Sequence, residues 1–375
     1  MKNSVLLTCL FVVILNFSCA QDPENQATIP DKISFSAQLL IDEMQIPWGM
    51  VFLPDGSMLV TERSGTLIHF SEGKKTLVSN VPEIYQRGQG GLLDIELHPN
   101  YGNNGWIYIS YVSSDGDEKG GHTALIRAKL KDNALIENEL LYKASPNTTK
   151  GQHFGSRIEF DNDGYLYLSI GERGERDVNP QDITRDGGKI YRFFDDGRIP
   201  EDNPFVGTDG AKTAVYSYGH RNPQGLVKHP DTGEIWDHDH GPRGGDEINI
   251  IKAGANYGWP VITYGINYNG TPITDITEKE GMEQPIHYWV PSIAPSGMTF
   301  ITTDTYGSDW NGSLLVGSLV FQYLERLEMD GTKVISQEKL MIDIGRVRDV
   351  KEGPDGLIYV AVEGKGVYKL VPSTP

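Results

Sequence analysis

The 375-residue chain is almost free of cysteine, since its only two, Cys9 and Cys19, both lie near the N-terminus. A disulfide framework in the body of the protein is therefore excluded. Long hydrophobic runs are scarce as well. Residues 5–17 form the one long apolar run, and it is too short to span a bilayer. No stretch shows a sustained 3.6-residue apolar period, which disfavours a helical repeat protein.

Motifs of several common enzyme classes are also missing. The sequence has no Gly-rich dinucleotide fingerprint, no phosphate loop ending in Gly-Lys-Ser/Thr, no His-Glu-x-x-His and no Gly-x-Ser-x-Gly. A nicotinamide, ATP or serine-hydrolase function therefore lacks support. Basic residues are few, because 33 Lys and Arg stand against 51 Asp and Glu, giving a net charge of -18. This balance argues against nucleic acid and anionic membranes as partners, but not against an anion in a locally basic pocket.

The N-terminus has the pattern of an export signal. Lys2 precedes the apolar run, and small Ser18 follows it, directly before Cys19. A cysteine at this point resembles the cleavage site of a bacterial lipoprotein, and the alternative is a plain secreted protein. We therefore expect a leader over residues 1–19, a polar tether over 20–36 and one domain over 37–372. The protein would be exported, either periplasmic or held to a membrane only by its lipid anchor.

Glycine and proline, by contrast, are abundant, with 43 and 21 residues. One unit recurs six times: an apolar pair, a turn rich in Pro, Asp and Gly, and a strand of alternating apolar residues. The copies lie at 50–63, 95–111, 158–174, 226–241, 298–319 and 350–366. Each turn supplies the positive φ of a tight hairpin. Six such units predict an all-β six-bladed β-propeller, with four-stranded antiparallel blades around a central channel. A pair of β-sandwiches would leave the repeat unexplained.

Two stretches carry cations that suit an anionic ligand. YGHRNPQGL at 218–226 presents Arg221, Asn222 and Gln224 together, and GRVRDV at 345–350 places Arg346 and Arg348 on one strand face. Guanidinium forks and amides suit a flat ligand that bears carboxylates. The alternative is that each arginine pairs with a nearby acid. Three guanidiniums near one channel mouth favour the polyanionic ligand.

Histidine and acidic residues supply a candidate base. His153 lies among glycines in GQHFGSRIEF at 151–160, and a histidine in such a loop can act as a general base near neutral pH. Glu172, at the end of the following repeat strand, can orient it across the hairpin. Gln89 lies among glycines in RGQGG and is by itself a weak candidate. A merely structural role for His153 is the alternative.

A glycine-rich segment at 237–260, DHDHGPRGGDEINIIKAGANYGWP, offers ligands for a metal. Carbonyls in the Gly241-Pro242 turn and the carboxylates of Asp246 and Glu247 are the oxygen donors that Ca²⁺ prefers. His238 and His240 share one strand face, which raises a transition-metal alternative that lacks a third ligand.

Longer motifs make the chain similar to a known family. PWGMVFLPDGSMLVTERSG, GQGGLLDIELHP, HFGSR, GGKIYRFFDDGRIPEDNPF, YGHRNPQGL, HGPRGGDEIN, NYGWP and PSIAPSGM occur in the family's order. They resemble the soluble quinoprotein aldose sugar dehydrogenases, which are related to soluble glucose dehydrogenase. The resemblance covers roughly 40–370. It implies a six-bladed propeller that uses pyrroloquinoline quinone (PQQ) and Ca²⁺ to oxidise an aldose, with an electron acceptor that the sequence does not name.

The resemblance also implies a role for each site residue. His153 would take the proton of the anomeric hydroxyl, with Gln89 and Glu172 in the same pocket. The residues implied to hold the quinone are Arg221, Asn222, Gln224, Arg346 and Arg348. The carbonyls of Gly241 and Pro242 would bind a catalytic Ca²⁺, and Glu247 with the backbone of Tyr257 would bind a structural one.

The chain departs from the family pattern at three positions. Val320 stands where a quinone-holding lysine is expected, Glu172 where an aspartate is common, and Gln152 beside the base where glycine is usual. The competing hypotheses are a lactonase-like propeller and a carbohydrate-binding propeller without cofactor. A lactonase would need metal-binding carboxylates in the channel, where this sequence offers arginines.

Overall fold

The computed structural model describes residues 34–373. The predicted leader, the predicted lipidation site Cys19 and most of the predicted tether lie outside these residues. The first strand begins at Phe35, inside the stretch predicted as tether. No helix in the described part of the chain is long and apolar enough to cross a membrane.

The regular secondary structure of the described chain is almost entirely β-strand. One short helix, α1, spans Tyr101–Asn104. The strands are β1 (Phe35–Ile41), β2 (Pro47–Phe52), β3 (Met58–Glu62), β4 (Thr66–Ser71), β5 (Lys74–Val78), β6 (Leu92–Leu97), β7 (Trp106–Ser113), β8 (His122–Lys131), β9 (Ala134–Lys143), β10 (Ile158–Phe160), β11 (Leu166–Ile170), β12 (Lys189–Phe193), β13 (Val215–Tyr218), β14 (Pro223–Lys228), β15 (Ile235–Asp239), β16 (Asp246–Ile250), β17 (His287–Trp289), β18 (Pro295–Phe300), β19 (Leu314–Ser318), β20 (Leu324–Asp330), β21 (Lys333–Leu340), β22 (Val347–Glu352), β23 (Ile358–Val362) and β24 (Gly366–Pro372).

These strands form six four-stranded antiparallel sheets, which confirms the predicted six-bladed β-propeller. Blades 1 to 5 are each four consecutive strands, from β2–β5 through β18–β21. Blade 6 combines β22, β23 and β24 with β1, which pairs antiparallel with β24 from Phe35 opposite Pro372 onwards. The two ends of the described chain therefore close the ring within one sheet.

The six repeats are the first hairpins of the six blades. The turn of the first copy joins β2 to β3, and that of the last joins β22 to β23. Gly56, Gly164 and Gly356 in these turns have φ values of 83°, 83° and 72°. The predicted positive φ is confirmed, and it explains why Asp-Gly recurs at this point of the blade.

The alternating side chains of the repeat strands do not divide into one buried face and one solvent-exposed face. Every residue of β3, β11, β15 and β23 is buried. Each blade packs against a neighbour on both faces, so alternate side chains enter two different interfaces. In β15, Trp236 joins the apolar cluster shared with blade 5, whereas Ile235 joins the cluster shared with blade 3.

The first strand of each blade lines the centre of the ring, because these strands contact one another in sequence around it. Arg157, just before β10, lies among them. Its Nη1 is 2.9 Å from Asp94 Oδ1 and 3.1 Å from Asp349 Oδ1. Its Nε and Nη2 donate to the carbonyls of Gln224 and Arg348, at 2.8 and 3.0 Å. One buried guanidinium thus joins three inner strands, β6, β14 and β22, to the start of β10.

Candidate active site

The candidate residues converge because of strand direction. Inner strands begin at one end of the ring, and the antiparallel second strands finish there. Gln89 and His153 lie in the segments that enter β6 and β10, and Glu172 follows β11. The remaining candidates also lie at this end: Arg221, Asn222 and Gln224 at the start of β14, Arg346 and Arg348 at the start of β22, and Gly241 and Pro242 after β15.

The conformation of His153 is fixed from two sides. Its backbone has φ of 55°, in the left-handed region, and its N–H donates to Gln89 Oε1 at 2.8 Å. Its Nδ1 is in hydrogen-bond contact with Oε1 of the buried Glu172. A Cβ at Gly171 would lie 2.5 Å from the His153 carbonyl oxygen. Only glycine therefore allows the chain after β11 to approach the His153 backbone this closely. Gln89 therefore positions the histidine through its backbone, and Glu172 through its ring.

The surroundings of His153 favour the neutral imidazole. Burial lowers the pKa of His153 first of all, and the positive charge of Arg221 lowers it further. The hydrogen bond and the charge of Glu172 act in the opposite direction, but the net shift is downward. A histidine that is neutral near pH 7 can accept a proton, as a general base must.

A cavity of about 200 Å³ opens beside these residues. It is lined by Gln152, His153, Glu172, Gly174, Arg176, Arg221, Pro242, Trp259, Asn267 and Tyr268. Gln89 does not line it. The aromatic wall of Trp259 was contained in the NYGWP motif but was not singled out from the sequence.

Arg221 and Asn222 are held by a carboxylate that the sequence analysis missed. Asp239 accepts the backbone N–H groups of Arg221 at 2.7 Å and Asn222 at 2.5 Å. The Arg221 guanidinium donates to the carbonyls of His240 at 2.9 Å and Gly241 at 3.1 Å. It also lies 5.4 Å from the centre of the Trp259 ring. In residues 34–373 no carboxylate forms a salt bridge with this guanidinium, so its charge remains available to a ligand.

Two of the three guanidiniums have a carboxylate partner, which is the alternative that the sequence left open. Glu363 lies between Arg346 and Arg348, with Arg346 Nε 2.6 Å from Glu363 Oε2 and Arg348 Nη2 in contact with Oε1. Arg348 Nη1 also donates to Gln224 Oε1 at 2.9 Å. Arg348 is buried, whereas the Arg346 side chain is 46% exposed. The β22–β23 hairpin pairs Val347 with Val362. Extending this register by one residue places Arg346 opposite Glu363, so the pair could have been found from the sequence.

Two buried polar atoms near the cavity lack partners within the described residues: Asn222 Nδ2 and Glu172 Oε2. A flat ligand with carbonyl or carboxylate oxygens would satisfy the amide donor, and its hydroxyl or N–H groups would satisfy the carboxylate oxygen. Together with Arg221, these atoms fit a planar anionic cofactor such as PQQ. Val320 is half exposed and does not line the cavity.

The Gly241-Pro242 turn also fits a cation. Pro242 lines the cavity, and the Gly241 carbonyl accepts one bond, from Arg221, so that a second lone pair stays free. Asp246, by contrast, is used to build the turn. Its carboxylate accepts the N–H groups of Gly241 at 2.8 Å, Ile293 at 2.7 Å and Ala294 at 2.9 Å.

A second cation environment lies between blades 3 and 4. Glu247 stands opposite Asp239, and Asn249 opposite Asp237, on strands β16 and β15. Both Asp237 oxygens are buried without a hydrogen-bond partner in the described chain, and Asp237 Oδ2 lies 3.3 Å from His220 Nδ1. Burial first, and then the charges of Asp239 and Asp237, raise the pKa of Glu247 well above its ordinary value. A bound cation would relieve this repulsion.

Few side chains are available as ligands for such a cation. In residues 34–373, no three His, Cys, Asp or Glu side chains converge as a metal cage. A Ca²⁺ ion beside Glu247 would therefore complete its shell with carbonyl, amide or water oxygens. Tyr257, whose backbone is the implied second ligand, packs next to this cluster through its ring, 4.5 Å from that of His220.

His238 and His240 do not form a metal pair here. Their ring centres are 6.3 Å apart, and His240 Nε2 contacts the Pro295 carbonyl. His238 is fully buried, with neither ring nitrogen bonded within the described residues. A Cβ on Gly225 would lie 2.2 Å from the His238 ring, so the glycine makes room for this histidine between blades 4 and 5.

Comparisons with known proteins agree with this geometry. A family model described as Glucose / Sorbosone dehydrogenase matches residues 44–369. The aldose sugar dehydrogenase YliI of Escherichia coli (strain K12) is 40% identical over 336 residues, covering 88% of this chain and 90% of that protein.

Solved structures are similar over the same range. The soluble aldose sugar dehydrogenase of Escherichia coli in its apo-form has a TM-score of 0.87 at 38% identity, covering 91% of this chain and 100% of that one. The PQQ-bound form of an aldose sugar dehydrogenase from Streptomyces coelicolor has a TM-score of 0.74 at 27% identity, covering 92% and 99%.

Proposed function

This chain belongs to the glucose/sorbosone dehydrogenase family, and on that premise we propose that it is a quinoprotein that oxidises aldose sugars at the anomeric carbon to lactones. The observation that carries the proposal is the contact of His153 with the buried Glu172, in a cavity that Arg221 also lines. A base and a free guanidinium in one cavity suit a substrate alcohol beside an anionic cofactor.

The residues that would hold the cofactor are Arg221, Asn222, Gln224, Arg346 and Arg348. PQQ, when bound, would supply the hydride acceptor, polarised by a Ca²⁺ on the Gly241 and Pro242 carbonyls. Arg221 offers its unpaired charge to a carboxylate, and the Asn222 amide offers an unsatisfied donor. Gln224 Oε1 and Glu363 Oε1 accept hydrogen bonds from Arg348 and hold its guanidinium in place. The PQQ-bound relative supports this cofactor.

Proton transfer follows from the tautomer that Glu172 imposes. Because His153 Nδ1 is bonded to the carboxylate, this nitrogen carries the proton and Nε2 is left as the acceptor. Nε2 would take the proton of the anomeric hydroxyl, and the hydrogen on the anomeric carbon would pass as hydride to the quinone held beside Arg221. The sugar thereby loses two electrons and two protons and becomes the lactone. The Gln89 bond keeps the histidine loop in the required left-handed conformation.

The pH dependence of activity should move in opposite directions in two variants. Activity requires neutral His153 and is lost as pH falls through its pKa. Arg221→Gln removes a charge that lowers this pKa, so the acid limb of the kcat/KM profile should move to higher pH. Glu172→Gln removes the interactions that raise it, so the limb should move to lower pH. Steady-state rates with saturating quinone measure both.

Arg176→Gln is the matched control for the pH profiles. Arg176 also lines the cavity, but it is 3.3 Å from Asp177 and is not among the groups that shift His153. The acid limb of the Arg176→Gln kcat/KM profile should coincide with that of the wild type. Shifts of the same sign in the Arg221 and Glu172 variants would show that His153 is not the titrating base.

Reconstitution tests the proposed function directly. Apo-protein mixed with PQQ and Ca²⁺ should reduce an artificial dye when given aldoses, and should not do so with quinone or Ca²⁺ left out. Alditols, which lack the anomeric hydroxyl, are the control substrates. Sugar binding without dye reduction would identify a binding module, and hydrolysis of added lactones without dye reduction would identify a lactonase.

A further inference from the structure

A second pocket, distinct from the His153 cavity, lies at the same end of the ring. It has a volume of about 380 Å³, and its charged lining residues are Lys119, Lys150, Arg173, Glu175, Arg185 and Asp186. We call it the basic pocket. Lys119 belongs to the β7–β8 loop and Lys150 to the β9–β10 segment, while the others follow β11. The segments 150–153 and 172–176 separate it from the His153 cavity.

The two acids of the basic pocket are already neutralised. Asp186 accepts hydrogen bonds from the hydroxyls of Tyr142 at 2.5 Å and Tyr191 at 2.9 Å, and lies 3.0 Å from Lys212 Nζ. Glu175 Oε1 lies 2.6 Å from Lys150 Nζ. Neither carboxylate is therefore free to compensate the remaining cations.

Three cations of the basic pocket have no carboxylate partner. In residues 34–373, Lys119, Arg173 and Arg185 form no salt bridge; Arg185 Nε donates to Asn179 Oδ1 at 2.9 Å. Acids of the Lys119 loop, such as Glu118, do not line the pocket. The four cations and two acids that line the pocket leave a local excess of two positive charges. Such an excess is unusual in a chain whose net charge is -18, and it attracts anions.

Arg173 is the least compensated of the three. It is fully buried, and its guanidinium lies 3.4 Å from the centre of the Phe154 ring. Its two terminal nitrogens donate to the carbonyls of Gln152 and Lys150, and its buried Nε has no partner in the described chain. Burial lowers the pKa of Arg173 to about 9. Burying a guanidinium is costly. The charge of Glu172 offsets part of that cost without forming a salt bridge, and an anion in the pocket would offset more of it.

We propose that the basic pocket binds a compact oxoanion: inorganic phosphate or the phosphate group of a small phosphorylated molecule. Guanidinium forks and ammonium groups are the donors that bind phosphate oxygens best. The pocket is also linked to the catalytic loop, because Arg173 is bonded to the Gln152 carbonyl, one residue before His153. The proposal does not rest on the redox activity.

Isothermal titration of the full-length protein with inorganic phosphate tests the proposal. Wild type should bind one phosphate. The double variant Lys119→Gln/Arg185→Gln should bind it at least about tenfold more weakly, since two charge-assisted contacts are lost. Lys279→Gln/Lys333→Gln is the matched control: it removes the same charge from two exposed lysines elsewhere and should bind like wild type.

A further variant should change the affinity for phosphate in the opposite direction. Glu175→Gln removes the carboxylate paired with Lys150 and frees a fourth cation, so phosphate should bind more tightly than to wild type. Equal binding by wild type, both double variants and Glu175→Gln would overturn the proposal, as would the absence of any phosphate binding.

A second ligand distinguishes the two sources of the phosphate group. Glycerol 3-phosphate carries this group without an aldose ring, so the His153 cavity contributes nothing to its binding. If it binds about tenfold more tightly than phosphate, and loses this advantage in Lys119→Gln/Arg185→Gln, the occupant is a phosphorylated molecule. If the two bind equally and both are weakened by the double variant, the free ion is the occupant. Failure of both ligands to respond to the double variant refutes the site.

Discussion

His153→Gln should lower the turnover of aldose by about 10²–10⁴-fold, the range for loss of a general base, while quinone binding stays close to that of wild type. The expected loss is large because His153 Nε2 is the proposed proton acceptor, and Glu172 holds the ring from the other side. Gln keeps a similar size but accepts no proton. Turnover at saturating PQQ and Ca²⁺, together with quinone titration by absorbance, measures the two effects separately.

The control for this variant is His287→Gln. His287 lies on β17, the outermost strand of blade 4, where it pairs with Ile248 and its ring packs on Trp289, away from the His153 cavity. Its variant should turn over aldose at the wild-type rate. If His153→Gln also does so with saturating quinone, His153 is not the base, whatever the cofactor proves to be.

Removal of Ca²⁺ should abolish activity and also lower the thermal stability. The first effect follows from the carbonyls of Gly241 and Pro242, and the second from the crowded carboxylates around Glu247. A ligand that binds only the folded state, at a concentration 100 times its Kd, stabilises the protein by about 2.7 kcal/mol. Dye reduction and thermal melts, before and after chelation and after Ca²⁺ is restored, measure both losses.

Glu247→Gln separates the two proposed Ca²⁺ sites. It removes a ligand of the structural site, so added Ca²⁺ should no longer raise the melting temperature as much, yet activity should still depend on Ca²⁺. Glu283→Gln, which removes an acid paired with Lys252 at the surface, should keep the full thermal response. Better recovery of activity with Zn²⁺ than with Ca²⁺ would contradict the proposed Ca²⁺ on the Gly241 and Pro242 carbonyls.

The propeller could be predicted from the sequence because its signals are local. Each Asp-Gly turn lies beside the strand that it starts, as with Gly164 before β11, and six copies define six blades. The positions of the site loops follow from that topology alone, since inner strands all begin at one end. The contact between His153 and Glu172, the proposed catalytic pair, could be predicted for the same reason, because both residues belong to blade 3.

The partners of the arginines could not be predicted in the same way. Arg157 meets Asp94 from blade 2 and Asp349 from blade 6, and no hairpin register connects residues of different blades. Asp239 holds the Arg221 backbone through its side chain, which a pattern of residue types does not reveal. The charged residues near the site could therefore be identified from the sequence, but the groups that pair with them could not.

The closure of blade 6 by β1 also governs how the chain reaches its native state. Phe35 and Pro372 are paired neighbours but are separated by almost the whole described sequence, and contacts of such high sequence separation form slowly. During synthesis, blades 1 to 5 can assemble while the C-terminus is still in the ribosome, but β1 must wait for β24 with its hydrogen-bonding edge open. An unpaired strand edge favours aggregation, so the newly made chain is most vulnerable just before its last strand is released.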